Sequence, residues 1–241
     1  MATVILVRHG RTTANASGVL AGRSAGVKLD DTGTAQAQRA AQRIAAVPLA
    51  AILSSPLERC RQTAKAVLAA QDSSTLRIEV EKAITECDYG QWQGRNLKDL
   101  LSEPLWKSVQ AQPSAVTFPD GESMSGMQSR AVSAVRRHDA AVEAEHGPQA
   151  VWVAVSHGDI IKSVLADALG MHLDLFQRIG VDPASVSIVR YTESRPYVLA
   201  SNTHEGDLAW LTAPVVSGDA AVGGGAGPET PAVAGHSTGR S

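Results

Sequence analysis

The sequence predicts an α/β domain, three layers with a mostly parallel central sheet between helices, and three observations carry that prediction. Short β-branched runs alternate with longer helical stretches, two of the runs end in a His-Gly pair, and Gly and Pro mark the breaks between them. Each element follows in chain order. Thr3 to Val7 is a compact apolar run that stops at Arg8-His9-Gly10, a first strand. Thr32 to Val47, rich in Ala and Gln, reads as a helix with Thr32 as its cap and Pro48 just past its end. Ala51 to Ser54 is a second strand, ended by Ser55-Pro56. Pro56 suits the first turn of the next helix, where Leu57, Cys60, Ala64, Val67 and Leu68 recur at helical spacing up to Gln71.

Arg77 to Glu81 alternates apolar and charged residues, as a strand does. Glu86 to Phe118 holds turns and at least one short helix. Asp120-Gly121-Glu122-Ser123 opens a long helix, about Met124 to Glu145, with Asp120 and Glu122 as capping residues and an apolar stripe of Met127, Ala131, Ala134, Val135 and Val142. Gln149 to Val155 is the most apolar run and stops at Ser156-His157-Gly158. A helix over Ile160 to Leu169 follows, closed by Gly170. Ser185 to Tyr191 and Tyr197 to Ser201 are expected to close the sheet as an antiparallel pair.

Composition narrows the function classes. The chain has 241 residues and a formal net charge of −2, which gives no basic footprint for nucleic acid. No apolar run approaches the roughly 20 residues that span a bilayer, and Val4-Ile5-Leu6-Val7 is too short for a signal-peptide core. Cys60 and Cys87 are too few for a disulfide framework and lack zinc-site spacing, so a soluble, cytoplasmic protein is expected. Gly218, Gly223, Gly224, Gly225, Gly227, Gly235 and Gly239 all follow Pro214, in a stretch without aromatic residues. We therefore expect a folded domain over residues 1–213 and a disordered Gly/Ala/Pro-rich tail over 214–241.

In an open parallel sheet, ligands sit outside the carboxyl ends of the strands, near the point where strand order reverses. Arg8-His9-Gly10 and Ser156-His157-Gly158 aim two imidazoles at such an edge from separate strands. Either histidine alone reads first as a loop residue bonded to its neighbours, and Arg59 alone as a surface arginine paired with Glu58 or Glu81. Together they suit phosphate chemistry: a neutral imidazole attacks phosphorus while arginine forks hold the anionic oxygens. A metal hydrolase using His9 and His157 is disfavoured, because neighbouring guanidinium groups oppose a divalent cation and no third ligand shows spacing.

These residues fall on motifs. Arg8-His9-Gly10-Arg11-Thr12-Thr13-Ala14-Asn15 resembles the R-H-G-x-T-x-x-N signature of the histidine phosphatase superfamily, also called phosphoglycerate mutase-like. Ser55 to Ala64 resembles its S-x-L-x-R-A-x-Q-T-A element, with Cys60 in place of alanine. Thr85-Glu86-Cys87-Asp88-Tyr89-Gly90 with Trp92-Gln93-Gly94, then Pro119 to Ser123, then Ser156-His157-Gly158, resemble the others in the family's order, and Gly33, Gln36 and Ala37 match a weaker G-x-x-Q-A pattern. The resemblance runs from Thr3 to about Ser201.

The resemblance implies a phosphoglycerate mutase-like fold and a phosphomonoester phosphatase acting through a phosphohistidine on His9. One ring nitrogen is then held as a donor by a nearby carbonyl while the other attacks. Arg8, Arg59 and His157 hold the transferring oxygens, and Thr12, Asn15, Gly10 and Gly158 complete the phosphate-binding set. Glu86 serves as general acid and then base, with a raised pKa opposed by the arginines. No metal or organic cofactor enters the scheme. The expected partner is a small phosphorylated metabolite, with no nucleic acid and no membrane, and a homodimer is left open.

A phosphoglycerate mutase-type phosphomutase is the alternative, because Tyr89 to Asn96 resembles the mutase version of its element. The mutases carry a longer insertion with a pair of arginines for the substrate carboxylate, and here Trp106-Lys107-Ser108-Val109 stands about there, which favours the phosphatase. A non-catalytic binding or regulatory member is the third alternative, weakened by the presence of Arg8, His9, Arg59, Glu86 and His157 together. Cys60 and Cys87 each follow a candidate residue, which raises oxidation sensitivity as a hypothesis. His138, His146, His172, His204 and His236 are expected at the surface, Arg136-Arg137-His138 on a solvated helix face, and Trp92, Trp106, Trp152 and Trp210 in core or rim packing.

Overall fold

The computed structural model describes residues 2–212, so the expected tail, with His236, lies outside the described residues. In chain order the strands and α-helices are β1 (Thr3–Arg8), α1 (Thr13–Ala16), α2 (Asp31–Ile44), β2 (Ala51–Ser54), α3 (Glu58–Ala69), β3 (Ile78–Val80), α4 (Leu97–Leu100), α5 (Trp106–Ala111), α6 (Met124–His146), β4 (Val151–Ser156), α7 (Gly158–Ala168), β5 (Val186–Arg190) and β6 (Tyr197–Thr203). The six strands form one sheet in the order β3-β2-β4-β1-β5-β6. β3, β2, β4 and β1 run parallel, while β5 and β6 close the sheet antiparallel, as the sequence suggests.

Alternation along each strand feeds two cores. Val4, Leu6, Leu53, Trp152 and Ala154 pack with α6 and α7, burying Met127, Ala131, Ile160 and Val164. Ile5, Val7, Ile52, Val153 and Val155 pack on the other face with α2 and α3, burying Ala41, Ile44, Ala64 and Val67. Removing each large apolar side chain from water is worth about 1.5–3 kcal/mol, so β1 and β4, apolar on both faces, anchor the sheet's middle. All five residues of the expected α6 stripe are buried.

Several helix starts differ from expectation. Asp30, not Thr32, caps α2: its carboxylate accepts from the Gly33 N–H at 2.7 Å, while Thr32 Oγ1 accepts from Arg11. Pro56 lies before the cap of α3 rather than in its first turn. Ser123 caps α6 by accepting from the Gly126 N–H at 3.0 Å, and Asp120 and Glu122 are free for other bonds. Gly170, with φ +66, ends α7 as a left-handed residue.

Candidate active site

Strand register assembles the site. β1 and β4 pair in parallel with Arg8 opposite Ser156, so His9 and His157 leave the sheet side by side, their ring centroids 5.3 Å apart. β2 pairs β4 with Ser54 opposite Val155, which sets Ser55 beside His157. From β3 the chain passes a single 3-10 turn, Lys82–Ile84, and reaches Glu86. Three consecutive parallel strands and the loop after the fourth therefore converge at one sheet edge, as the placement rule for such sheets requires.

His9 is buried. Its Nδ1–H donates to the Gly10 carbonyl at 2.7 Å, and its Nε2 accepts from Arg59 Nε at 3.2 Å. This pairing selects the tautomer with the proton on Nδ1 and the lone pair on Nε2. Burial, then the charges of Arg59 and Arg8, hold the His9 pKa well below the usual histidine range, so the ring is neutral at physiological pH. His157 is lowered in the same way, by burial first and then by Arg59. Its Nε2 lies 2.8 Å from Ser55 Oγ and its Nδ1 3.2 Å from Arg59 Nη2.

Arg59 is 2% exposed, far from the surface pairing its position would also allow; Glu58 meets Lys28 and Glu81 meets Arg137 and His138 instead. Its Nη2 donates to the Gly22 carbonyl at 2.8 Å, and Arg8 Nη1 donates to Val181 O at 2.6 Å. Arg8 Nε and Arg59 Nη1 are buried with no acceptor among the described residues. Buried donors rarely stay unpaired, and two of them on guanidinium groups beside a histidine mark a seat for anionic oxygens.

Thr12 caps α1, donating from Oγ1 to Asn15 Oδ1 at 2.9 Å while its N–H donates to the same oxygen. Both residues line the cavity, and with Oδ1 occupied Asn15 can offer its side-chain NH2 to an anion. A Cβ on Gly10 would sit 2.3 Å from Gly33 O, and one on Gly33 1.9 Å from Arg11 O, so the loop after β1 and the start of α2 touch backbone to backbone. Gln36 completes the contact by accepting from the Arg11 N–H at 2.9 Å, which accounts for Gly33 and Gln36. A Cβ on Gly158 would only touch Arg8 Nε at 3.5 Å.

Glu86 brings its Oε2 to 3.8 Å from His157 Nδ1, with the side chain 12% exposed. Burial, then the charge of Asp159, raise its pKa to about 7, with Arg59 pulling against them. Asp88 and Glu122, the carboxylates that flank the same segment, face elsewhere: Glu122 joins Arg130 and Arg23, and Asp88 meets Arg23 at 3.3 Å. Cys60 and Cys87 are buried, and burial pushes the Cys60 thiol up to about 12 and Cys87 up as well, so neither offers a thiolate.

The sequence profile of the histidine phosphatase superfamily, branch 1, matches residues 4–204. The chain belongs to that superfamily. Phosphoserine phosphatase 1 of Hydrogenobacter thermophilus is 31% identical over 208 residues, spanning 84% of this chain and 92% of that protein. A probable phosphoglycerate mutase of Yersinia enterocolitica is 30% identical over 220 residues, spanning 90% and 98%. The solved structure of a mycobacterial glucosyl-3-phosphoglycerate phosphatase superposes with a TM-score of 0.73 at 25% identity, covering 83% of this chain and 98% of that one.

In this histidine phosphatase the structure also brings in residues that sequence reasoning passed over. Arg23 Nε and Arg130 Nη2 both donate to the Glu86 carbonyl, at 2.9 and 3.2 Å, and Glu122 ties the two guanidinium groups together. Asp159 accepts from the Tyr89 hydroxyl at 2.8 Å and raises Glu86. The one sequence signal for Asp159 is its place two residues after His157, where an acidic residue is ordinarily read as a partner of the helix dipole.

Proposed function

We propose that the protein is a phosphomonoester phosphatase working through a phosphohistidine on His9, without a metal ion, on a small phosphorylated metabolite in the cytoplasm. The observation that carries this reading is the Nδ1–H of His9 on the Gly10 carbonyl, which leaves Nε2 as a neutral nucleophile. Nε2 attacks phosphorus and the bond from phosphorus to the alcohol oxygen breaks. That oxygen takes the proton of Glu86, whose pKa of about 7 suits a group that both gives and accepts a proton near neutrality. Water then attacks the phosphohistidine, passing its proton to Glu86 and freeing phosphate and His9.

Arg8 Nε and Arg59 Nη1 supply donors as charge builds on the transferring oxygens, and Thr12, Asn15 and Gly158 line the cavity beside them. His157, held by Ser55 and Arg59 just behind the lining, and the turn at Gly10 complete the proposed seat. Metal independence is supported by the donor set: two arginines flank the histidines, and no group of three or more His, Cys, Asp or Glu among the described residues could hold a metal. The cytoplasmic reading rests on two free cysteines, and no helix among the described residues is long and apolar enough to cross a membrane. Residues 1–213 are proposed as the catalytic unit.

Hydrolysis is favoured over mutase chemistry because the segment between Glu86 and Glu122 lends Trp106, Val109 and Gln110 to the cavity rather than a pair of arginines. Rapid quench with a panel of phosphomonoesters tests the reading: an acid-labile phosphoenzyme is expected and His9→Ala abolishes it. Absence of both labelling and phosphate release sinks the enzymatic reading. Interconversion of phosphoglycerates with a bisphosphate primer, in place of hydrolysis, would favour the mutase, and turnover that disappears with a chelator would overturn metal independence.

A further inference from the structure

The cavity extends well past the phosphate seat. It encloses about 390 Å³, within the usual size for small-molecule sites, and a phosphorylated three-carbon acid fills only part of it. Away from Arg8 and Arg59, Leu20, Trp92, Leu97, Trp106, Val109 and Phe118 give one side of the cavity an apolar wall, with the uncharged amides of Gln110 and Gln177 among the other lining groups. The rings brace one another: Trp106 stacks on Trp92 with centroids 6.1 Å apart and planes 25° apart, and Phe118 stands edge-on to Trp92 at 5.3 Å. Trp92 and Phe118 are buried in the core and back the half-buried Trp106. Leu97, which lines the cavity, is 40% exposed and so gives it an apolar edge toward solvent.

Charge separates this wall from one built for a carboxylate. The cations lining the cavity are Arg8, Arg59 and Lys162, and the first two belong to the phosphate seat. Lys162 Nζ donates to Gln177 Oε1 at 3.0 Å and lies 3.9 Å from Asp159 Oδ1, a carboxylate that offsets its charge. Lys162 is thus the one Lys or Arg lining the cavity beyond the phosphate seat, and it already faces an acid among the described residues. A carboxylate on the alcohol half would be stripped of water and would compete with Asp159 for Lys162, whereas an apolar surface would gain by leaving water.

We infer that the substrate is a phosphomonoester whose alcohol half is uncharged and carries an extended aromatic or apolar surface, seated against Trp106, Leu20 and Leu97. This rests on the phosphatase reading above. Trp106, expected in the sequence in core or rim packing, then also determines specificity.

The test compares esters of similarly basic alcohols, so that leaving-group reactivity is matched: naphthylethyl phosphate against phosphoserine and 3-phosphoglycerate. Naphthylethyl phosphate is expected to lead in kcat/KM by at least about tenfold, mainly through KM. Trp106→Ala should cut that preference about tenfold. Leu97→Lys, at an exposed position that tolerates the change, should shift preference toward the carboxylated esters; an unchanged unfolding midpoint certifies each variant. Equal or better turnover of the carboxylated esters by the unaltered protein, or ratios that neither variant moves, overturns the inference while leaving the phosphatase reading intact. Failure of every ester to label His9 or release phosphate overturns both.

Discussion

The Nε–H of Arg59 donates to Nε2 of His9 across 3.2 Å. One guanidinium thus fixes the Nε2 side of the His9 ring, while a second nitrogen, Nη1, has no acceptor among the described residues. Lysine keeps the charge but cannot divide its donors in a planar fork. Arg59→Lys is therefore expected to lower kcat/KM by about 10²–10³, measured with any accepted phosphomonoester. A change below about threefold would show that the fork is not used.

Protonation of Glu86 predicts the alkaline limb of the rate profile. Its pKa is raised from 4.5 to about 7, so phosphoenzyme formation should fall as pH rises through about 7, while the lowered His9 pKa keeps the acid limb below 6.5. Glu86→Gln should lose about 10²–10⁴ in rate and the alkaline limb with it. Stability carries the matching sign. Between pH 4.5 and about 7 the native state holds a proton that the unfolded chain has released, so the carboxyl's contribution becomes less favourable as pH rises through that window. Denaturant unfolding at pH 8 should accordingly find Glu86→Gln at least as stable as the unaltered protein.

Ser55 is expected to orient His157. Its hydroxyl is buried 2.8 Å from Nε2, so Ser55→Ala leaves that buried ring nitrogen only the weak contact with Cys60 Sγ at 3.4 Å, at a cost of about 1–3 kcal/mol. Urea unfolding reads that loss, and a fall in kcat larger than the change in KM would separate orientation from binding.

Two glycines beside the histidines should respond differently to alanine. Gly10→Ala drives a Cβ to 2.3 Å from the Gly33 carbonyl oxygen and should lower the unfolding midpoint sharply. Gly158→Ala meets Arg8 Nε at an ordinary 3.5 Å and should keep its midpoint while weakening phosphate binding, visible as a raised inhibition constant for inorganic phosphate.

If residues 1–213 are the catalytic unit, a chain ending at Ala213 should keep its kcat/KM within about twofold. A larger loss would assign the segment after it a part in the site.

Much of this was legible without coordinates. Thr3–Arg8, Ala51–Ser54 and Val151–Ser156 announce themselves as strands because a strand buried on both faces must be apolar throughout. The paired His9-Gly10 and His157-Gly158 then pointed to one edge. Helix caps were less readable, since Asp30 and Thr32 offer similar oxygens and only backbone geometry chooses between them.

What local sequence could not carry is anything set by partners distant along the chain. Arg23 meets Glu122 across 99 residues and Tyr89 meets Asp159 across 70, and no periodicity links such pairs. The residue types alone determined which chemistry was available: an imidazole nucleophile, guanidinium donors and a carboxyl proton carrier. The tertiary structure alone decided their protonation states and the apolar wall beyond them. Burial and the charges of Arg8, Arg59 and Asp159 act through space, and they take effect only where the fold brings those groups within a few ångströms of His9 and Glu86.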